Sequence, residues 1–519
     1  MRAMLFLISV LLLGVLASAA QPEGSRPNIL FVFSDDHALE AISAYRGRFK
    51  DIAPTPHLDR IAREGAIFNN SFCANSICGP SRACILTGKH SHINGFRTNR
   101  DHFNGNQWSF QKDLRQAGYT TALIGKWHLH GQPQGFDHWE IFPGQGNYYN
   151  PDFITMDAMR HREQGYCTDL VTDKAVAWLD GRDKTKPFLL MCQHKAPHRT
   201  FAPALRHLGA FDGVEFPEPS NLFDDYATRS KTLVTNQMSI ENHFRWTYDL
   251  KVRPEEHEGI DLPGPDSGFA IEYNRMTPAQ KKAWDAHYGP LNQQFIADYQ
   301  AGNKDDPKTL TRWKYARYLQ NYLATIKSVD ESVGRLLDYL DKHDLANNTL
   351  VIYSSDQGFY LGEHGWYDKR WMFEESFKMP FLIRWPGVVT PNTRPEAMIQ
   401  NIDYAPTFLE AAGLSIPTAV QGRSLLPVLR DTTTMPADWR ESLYYHYYEA
   451  GGEHNVPIHY GVRTQRYKLI HFPATDQWNL FDLEADPHEM LNIYERSENR
   501  GRRDELKREL DRLRKQYQL

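Results

Sequence analysis

Four short polar clusters in the chain gather residue types suited to chemistry at one point: Asp35-Asp36-His37, Lys126-Trp127-His128, His194 with His198, and Asp356-Gln357-Gly358. Asp35, Asp36, Asp356 and Gln357 offer oxygen donors, the set that suits a hard cation such as Ca2+ or Mg2+ better than Zn2+. Converging carboxylates without a cation would repel and raise one another's pKa, so a metal is the simpler account. A single Ser-Asp-Asp is ordinarily a turn or a helix cap. It is the recurrence of such clusters that points to a site. Lys126 and Lys369 add positive charge, although a lone lysine is ordinarily solvated. His128 and His198 can exchange protons near neutral pH, whereas His194 is read as structural. Cys78 opens the run Cys78-Gly79-Pro80-Ser81-Arg82, where a helix starting at the cysteine would turn backbone N–H groups toward an anion. Arg82 has the planar donors to orient a neighbouring carboxylate.

These clusters need elements that end together. Apolar runs at Asn28 to Phe33, Thr121 to Ile124, Phe188 to Cys192, Leu350 to Tyr353 and Phe381 to Ile383 lack polar alternation, as strands buried on both faces do. The four clusters directly follow the first four runs, and ligands of open parallel sheets sit beyond the carboxyl ends of the strands. Between the runs lie helical patterns. Thr55-Pro56 begins one that Gly65 stops, and Leu319, Tyr322, Leu323, Ile326, Val329, Val333, Leu336 and Leu340 mark a longer one. The fold class is therefore α/β, with a mostly parallel sheet sandwiched by helices. From about residue 431 the pattern changes. Leu443 to Tyr448, Tyr460 to Phe472 and Trp478 to Leu483 interleave polar residues, predicting a smaller C-terminal α+β domain with an antiparallel sheet. The tail from Arg502 to Leu519 predicts a closing amphipathic helix. Phe216 to Asp306 has little periodicity and is expected to form long loops near the substrate.

A length of 519 residues with 41% hydrophobic content allows a large core and more than one structural unit. Lys+Arg 59 against Asp+Glu 64, without a long basic run, argues against nucleic acid as a partner. Met1-Arg2, an apolar stretch from Leu5 to Leu16 and Ala17-Ser18-Ala19-Ala20 have the layout of a cleavable signal peptide over 1–20, so the protein is expected to be exported, periplasmic or secreted. That stretch is shorter than the roughly 20 residues a bilayer span needs, and no membrane span is expected after cleavage. Beyond Cys78, the four cysteines Cys73, Cys84, Cys167 and Cys192 have spacing that fits neither structural zinc nor a disulfide scaffold, and pairing among them stays open.

The stretch Cys78-Gly79-Pro80-Ser81-Arg82-Ala83-Cys84-Ile85-Leu86-Thr87-Gly88 resembles the signature of the formylglycine-dependent (type I) sulfatases, Cys-x-Pro-Ser-Arg followed by x-x-x-Leu-Thr-Gly, at every fixed position. The likeness extends through Asp35-Asp36, Gly125-Lys126-Trp127-His128, Ala196-Pro197-His198, Ser355-Asp356-Gln357-Gly358, Asp368-Lys369-Arg370, Asp403-Tyr404-Ala405-Pro406-Thr407 and Gln421-Gly422-Arg423-Ser424. The resemblance implies an alkaline-phosphatase-like core over 21–430 and a C-terminal subdomain over 431–519. It implies that a maturation enzyme oxidises Cys78 to formylglycine (3-oxoalanine), which hydrates to a diol. Asp35, Asp36, Asp356, Gln357 and the modified Cys78 would hold Ca2+, with Mg2+ second. Gln357 stands where many relatives carry asparagine. Arg82, Lys126 and Lys369 would offset the charge of a sulfate ester, His198 would protonate the leaving oxygen with Lys369 beside it, and His128 would take a proton from the diol. A phosphomonoester or phosphonate hydrolase on the same core is the nearest alternative, and a catalytically silent carbohydrate-binding protein is the alternative of another class. The blocks from Gly358 to Trp366, Phe373 to Ser376 and Tyr460 to Thr464 are similar to those of bacterial carbohydrate sulfatases, especially N-acetylglucosamine-6-O-sulfatases. A sulfated, glycosaminoglycan-type carbohydrate is thus the expected substrate, with Trp366, Asp368 and His454 as candidate sugar contacts.

Overall fold

The computed structural model describes residues 26–266 and 270–519; the signal peptide expected at 1–20 lies outside them. Strand Asn28–Asp35 shows why its sequence is continuously apolar. Ile29, Phe31 and Phe33 enter one core cluster with Leu86, Phe110 and Phe408, while Leu30 and Val32 enter another with Ile61, Val171, Val329 and Leu336. Both faces of the strand are covered by helices, so neither face can be polar. Helix Pro56–Glu64 starts at the expected proline and stops at Gly65. Helix Pro307–Lys342 carries the long apolar stripe and is capped by the Asp306 side chain.

Among the described residues nine strands form the main sheet, in the order Ala66–Ile67, Phe381–Arg384, Thr349–Ser355, Asn28–Asp35, Phe188–Pro197, Thr120–Gly125, His138–Ile141, Asp152–Thr155 and Arg160–Arg162. From Thr349–Ser355 to His138–Ile141 neighbouring strands are parallel. The outer strands are antiparallel, and they include Phe381–Arg384, whose apolar run resembles those of the parallel strands because it too is buried on both faces.

A second sheet of four antiparallel strands, Ser442–Tyr447, His459–Thr464, Tyr467–Phe472 and Gln477–Asp482, matches the change in pattern near the C-terminus. Tyr444, Val462, Leu469 and Leu480 on one face receive Leu506, Leu510 and Leu513 of the closing helix Arg500–Gln516. Leu443, Tyr445, Ile470 and Phe472 on the other face join the same core cluster as Phe33. This unit is therefore welded to the main one by apolar burial and does not hang from a linker.

The expectation of long loops from Phe216 to Asp306 is corrected in part. Most of the segment up to Asp266 is irregular, but Pro278–Gln300 is a 23-residue helix begun by a Thr277–Gln280 capping box. Trp284, Tyr288, Asn292, Phe295 and Ile296 are its buried positions. Pro290 inside the helix and the polar Asn292 among its buried residues hide that periodicity. All five cysteines are buried free thiols. Among the described residues no helix is long and apolar enough to cross a membrane.

Candidate active site

The parallel register brings the polar clusters level. Ser34 lies opposite Ser355, Asp35 opposite Pro197, and Gly125 opposite Gln193. Each chain leaves its strand at this edge and delivers the next residues to one place. Asp36 makes its exit with φ of 67°, a left-handed conformation uncommon for a residue with a side chain. The Tyr322 hydroxyl fixes that turn, donating to the Asp36 carbonyl at 2.6 Å and accepting from the Ala38 N–H at 2.9 Å. The Asp36 N–H in turn donates to Asp356 Oδ1 at 3.1 Å. Gly358 is required after Gln357, because a Cβ there would lie 2.1 Å from the carbonyl oxygens of Glu375 and Lys378. His128, Asp368 and Arg370 also have positive φ. Such concentration of unfavourable backbone is characteristic of functional sites.

Cys78 is the first residue of the buried helix Cys78–Thr87. Gly79 follows because a Cβ would meet the Phe96 ring at 2.6 Å, and its N–H donates to Asn99 Oδ1 at 3.1 Å. One turn on, Arg82 reaches the floor. Its guanidinium donates to Asp356 Oδ2 at 3.2 and 3.3 Å, to Gln193 Oε1 at 2.9 Å and to the Lys126 carbonyl at 3.0 Å. The helix is thereby locked to three strand ends.

The charges of the floor are paired but not exhausted. The Lys126 ammonium contacts Asp35 and donates to Gln145, and Lys369 Nζ donates to Asp36 Oδ2 at 2.7 Å. Burial, partly offset by Lys369, raises the Asp36 carboxyl to about 7. Burial opposes the charge of Lys369, yet Asp36 and Asp368 outweigh it and raise that ammonium above its ordinary value. Burial, followed by Lys126, Lys369 and Lys195, holds His198 well below its ordinary pKa. Its Nδ1 donates to the Arg199 carbonyl at 2.6 Å, so Nε2 faces the floor, 3.7 Å from Asp36 Oδ2. Burial and then Lys126 and Arg82 likewise keep His128 neutral, and its Nδ1 has no hydrogen-bond partner among the described residues.

Oxygen atoms of Asp35, Asp36 and Asp356 lie within 4.8 Å of one another, as do ligand atoms of Asp35, Cys78 and His198. The three aspartates and Gln357 are wholly buried, and Asp35 Oδ1 and Gln357 Oε1 lack hydrogen-bond partners among the described residues. Gln357 also donates through Nε2 to Asp36. Orphaned oxygens beside converging carboxylates fit a hard oxygen-ligated cation.

The candidate sugar contacts divide. Asp368 and His454 meet at 3.1 Å beside Lys369, and Arg370 pairs with Asp368 at 3.3 Å. Against burial, Arg370, Lys369 and His454 pull the Asp368 carboxyl well below its ordinary range. Trp366 is a correction: it is fully buried, stacked between Tyr226 and Trp371, with no face left for a ligand. Its neighbours in sequence reach the site while its own side chain turns into the core. His194 is fully buried and donates or accepts at Ser332 Oγ, 3.0 Å away. Arg370, Gln145 and Glu453 also join the charged network around the floor. Arg370 sits in the quoted Asp368-Lys369-Arg370 block, and Gln145 lies in the turn Gly144-Gln145-Gly146. Glu453, 3.1 Å from Arg199, gave no local signal because it comes from the loop between two strands of the second sheet.

A family model for the sulfatases matches residues 27–414, and one described as "N-sulphoglucosamine sulphohydrolase, C-terminal" matches residues 362–516. An N-acetylglucosamine-6-O-sulfatase of Bacteroides thetaiotaomicron is 49% identical over 97% of this chain and 89% of its own. The N-acetylglucosamine-6-sulfatase of Homo sapiens is 26% identical, covering 86% of this chain and 72% of its own. A solved complex of a relative with its substrate D-glucosamine-2-N,6-O-disulfate superposes with a TM-score of 0.90 at 48% identity, covering 95% of this chain and 98% of the other. A phosphonate monoester hydrolase from Silicibacter pomeroyi shares the fold, with a TM-score of 0.71 at 19% identity over 95% of this chain and 96% of the other. Likeness of this extent and degree decides the matter of family: the chain belongs to the sulfatases and is a sulfuric ester hydrolase.

Proposed function

We propose that the enzyme removes 6-O-sulfate from N-acetylglucosamine or related glucosamine residues of a glycosaminoglycan-type carbohydrate, with formylglycine made from Cys78 and one divalent cation, calcium before magnesium. The single observation that carries the substrate reading is the 49% identity, over nearly the whole chain, to an N-acetylglucosamine-6-O-sulfatase. The state of the Cys78 thiol supports the modification. Burial, partly offset by Lys369, pushes it up to about 12, so an unmodified Cys78 would be an un-ionised and poor nucleophile. Hydrated formylglycine supplies one hydroxyl to attack sulfur and a second through which sulfate is later expelled. Asp35, Asp36, Asp356 and Gln357, with the modified residue 78, would hold the cation, which would supply Lewis-acid stabilisation to the sulfate.

The chain's own residues do the rest. Lys126 and Lys369 stand beside Asp35 and Asp36 and neutralise the sulfate oxygens as charge shifts to the leaving oxygen. Arg82 holds Asp356 in place. His198 presents Nε2 to the floor and protonates the leaving oxygen; burial first, and then the lysine charges, keep it neutral in the free enzyme, and the arriving anion offsets the lysines so that Nε2 takes up the proton it donates. His128, neutral and with Nδ1 free, takes the proton of the second hydroxyl. Asp368, Arg370 and His454, buried next to Lys369, are the groups to which sugar hydroxyls would hydrogen-bond. Export through the 1–20 signal and encounter with a formylglycine-generating enzyme complete the proposal.

Mass spectrometry tests the modification. Active protein should give a Cys78 peptide lighter than the thiol form and reactive toward hydrazides. Full activity with an intact Cys78 thiol would sink the mechanism. A panel of glucosamine 2-N-, 3-O- and 6-O-sulfates tests the substrate, with fastest turnover expected at the 6-position, and an aryl phosphate hydrolysed faster than the matching aryl sulfate would favour the phosphoester alternative.

A further inference from the structure

Lys195 is a buried lysine that none of the roles above uses. It lies at the carboxyl end of strand Phe188–Pro197, with 3% of its surface exposed. Among the described residues no carboxylate comes within ion-pair distance of its Nζ. That nitrogen donates instead to the Arg199 carbonyl at 3.3 Å and sits 4.8 Å over the Tyr148 ring. An unpaired buried ammonium destabilises a fold, and replacing buried charge with apolar volume is commonly neutral or stabilising. The buried Glu272 carboxylate offsets part of that charge from beyond ion-pair distance, but neither it nor packing requires the ammonium to sit on a carbonyl.

The geometry around it does. The Arg199 carbonyl that Lys195 engages is the same oxygen that accepts from His198 Nδ1 at 2.6 Å. The His198 N–H closes a turn onto the Lys195 carbonyl at 3.0 Å. On the other side, the Tyr148 hydroxyl donates to the His198 carbonyl at 2.5 Å. Tyr148 is itself held by Glu272, whose Oε2 accepts from the N–H groups of Tyr148 and Tyr149 at 2.9 and 3.1 Å. His198 is thus gripped through its ring nitrogen, its amide and its carbonyl. The Lys195 side chain acts on the first, through the Arg199 carbonyl, and covers the ring whose hydroxyl makes the third; the second uses the Lys195 backbone carbonyl, which any residue at this position would supply.

We propose that Lys195 is a positioning residue for proton transfer, pinning the Arg199 carbonyl, with Tyr148 behind it, so that His198 Nε2 is aimed at the leaving oxygen. This rests on His198 being the group that protonates that oxygen. Misaiming a general acid lowers the chemical step and leaves ground-state binding almost untouched.

The test is Lys195→Met in the mature, metal-loaded enzyme, assayed on a glucosamine 6-O-sulfate. We expect kcat to fall about tenfold to a hundredfold with KM changed less than about threefold, while the melting temperature is unchanged or higher. Tyr148→Phe, which removes only the hydroxyl on the His198 carbonyl, should give the same pattern and serves if the first variant folds poorly. In a His198→Ala background, Lys195→Met should cost no further activity, because its effect runs through the missing imidazole. A rise in KM at unchanged kcat, or a full further loss in the His198→Ala background, would overturn the proposal. If His198→Ala itself left sugar-sulfate turnover intact, the acid assignment would be what failed.

Discussion

Asp403 and the aspartates of the active-site floor are equally buried, yet they are built in opposite ways. Asp403 receives Arg440 through two hydrogen bonds of 2.6 and 2.7 Å and the N–H groups of Gln400 and Arg423 at 2.7 and 2.8 Å. Each of its oxygens has two donors, and the network ties the main unit to the segment leading into the second sheet. Asp35, Asp36 and Asp356 instead face one another, with Asp35 Oδ1 and Gln357 Oε1 left unpartnered among the described residues. A closed carboxylate network is a staple, and an open one that converges is a receptor for charge. Burial alone does not distinguish them; the direction of the unpaired atoms does.

The contrast is broken most severely on the catalytic side. Asp356→Ala should abolish sulfate-ester turnover and lower bound cation, measured by metal analysis, with the fold kept but the melting temperature lowered, because buried Arg82 loses its carboxylate partner. The variant loses a ligand and relieves carboxylate repulsion at once. Stoichiometric zinc with full activity in the unaltered enzyme would contradict the oxygen-ligand reading. His198→Ala comes next, with turnover of sugar sulfates falling about a hundredfold to ten-thousandfold and activated aryl sulfates far less, because acid assistance matters most for a basic leaving alkoxide. Equal losses on both would move the acid role to Lys369.

At the staple the expected loss is stability. Asp403→Ala leaves Arg440 buried without its partner and should cost about 3–5 kcal/mol, read as a lower midpoint in denaturant with little change in kcat for the molecules that stay folded. A fall in kcat without a fall in stability would erase the distinction between the two kinds of aspartate. The smallest effect per group concerns buried histidines away from the site. Burial lowers His90 and His194 to about 3 and His459 to about 4. Their folded-state pKa values lie below the unfolded value, so the unfolded chain binds more protons as pH falls from about 6.5 toward 3 to 4. Stability should therefore drop on acidification, by about 1.4 kcal/mol per pH unit for each fully coupled histidine. Melting temperatures from pH 7 to 4.5 check this, and His194→Gln should flatten the slope.

Local sequence carried much of this protein. The uninterrupted apolar runs could be satisfied only by strands covered on both faces, and alternation near the C-terminus required a sheet with two unlike faces. The polar clusters after the runs were legible for the same reason: residues that leave a parallel sheet at its carboxyl edge have one place to go. Tertiary structure alone decided which of those residues share that place usefully. It turned Trp366 into the aromatic core while pairing Asp368, two residues on, with His454 and Arg370. It supplied Glu453 and His454 from a loop of the second sheet, far in sequence from the residues they meet. It placed Lys195 on a carbonyl rather than a carboxylate, something no spacing encodes. Periodicity is a property of neighbours along the chain, whereas the aim of a side chain and the pairing of a buried charge depend on packing between elements distant in sequence.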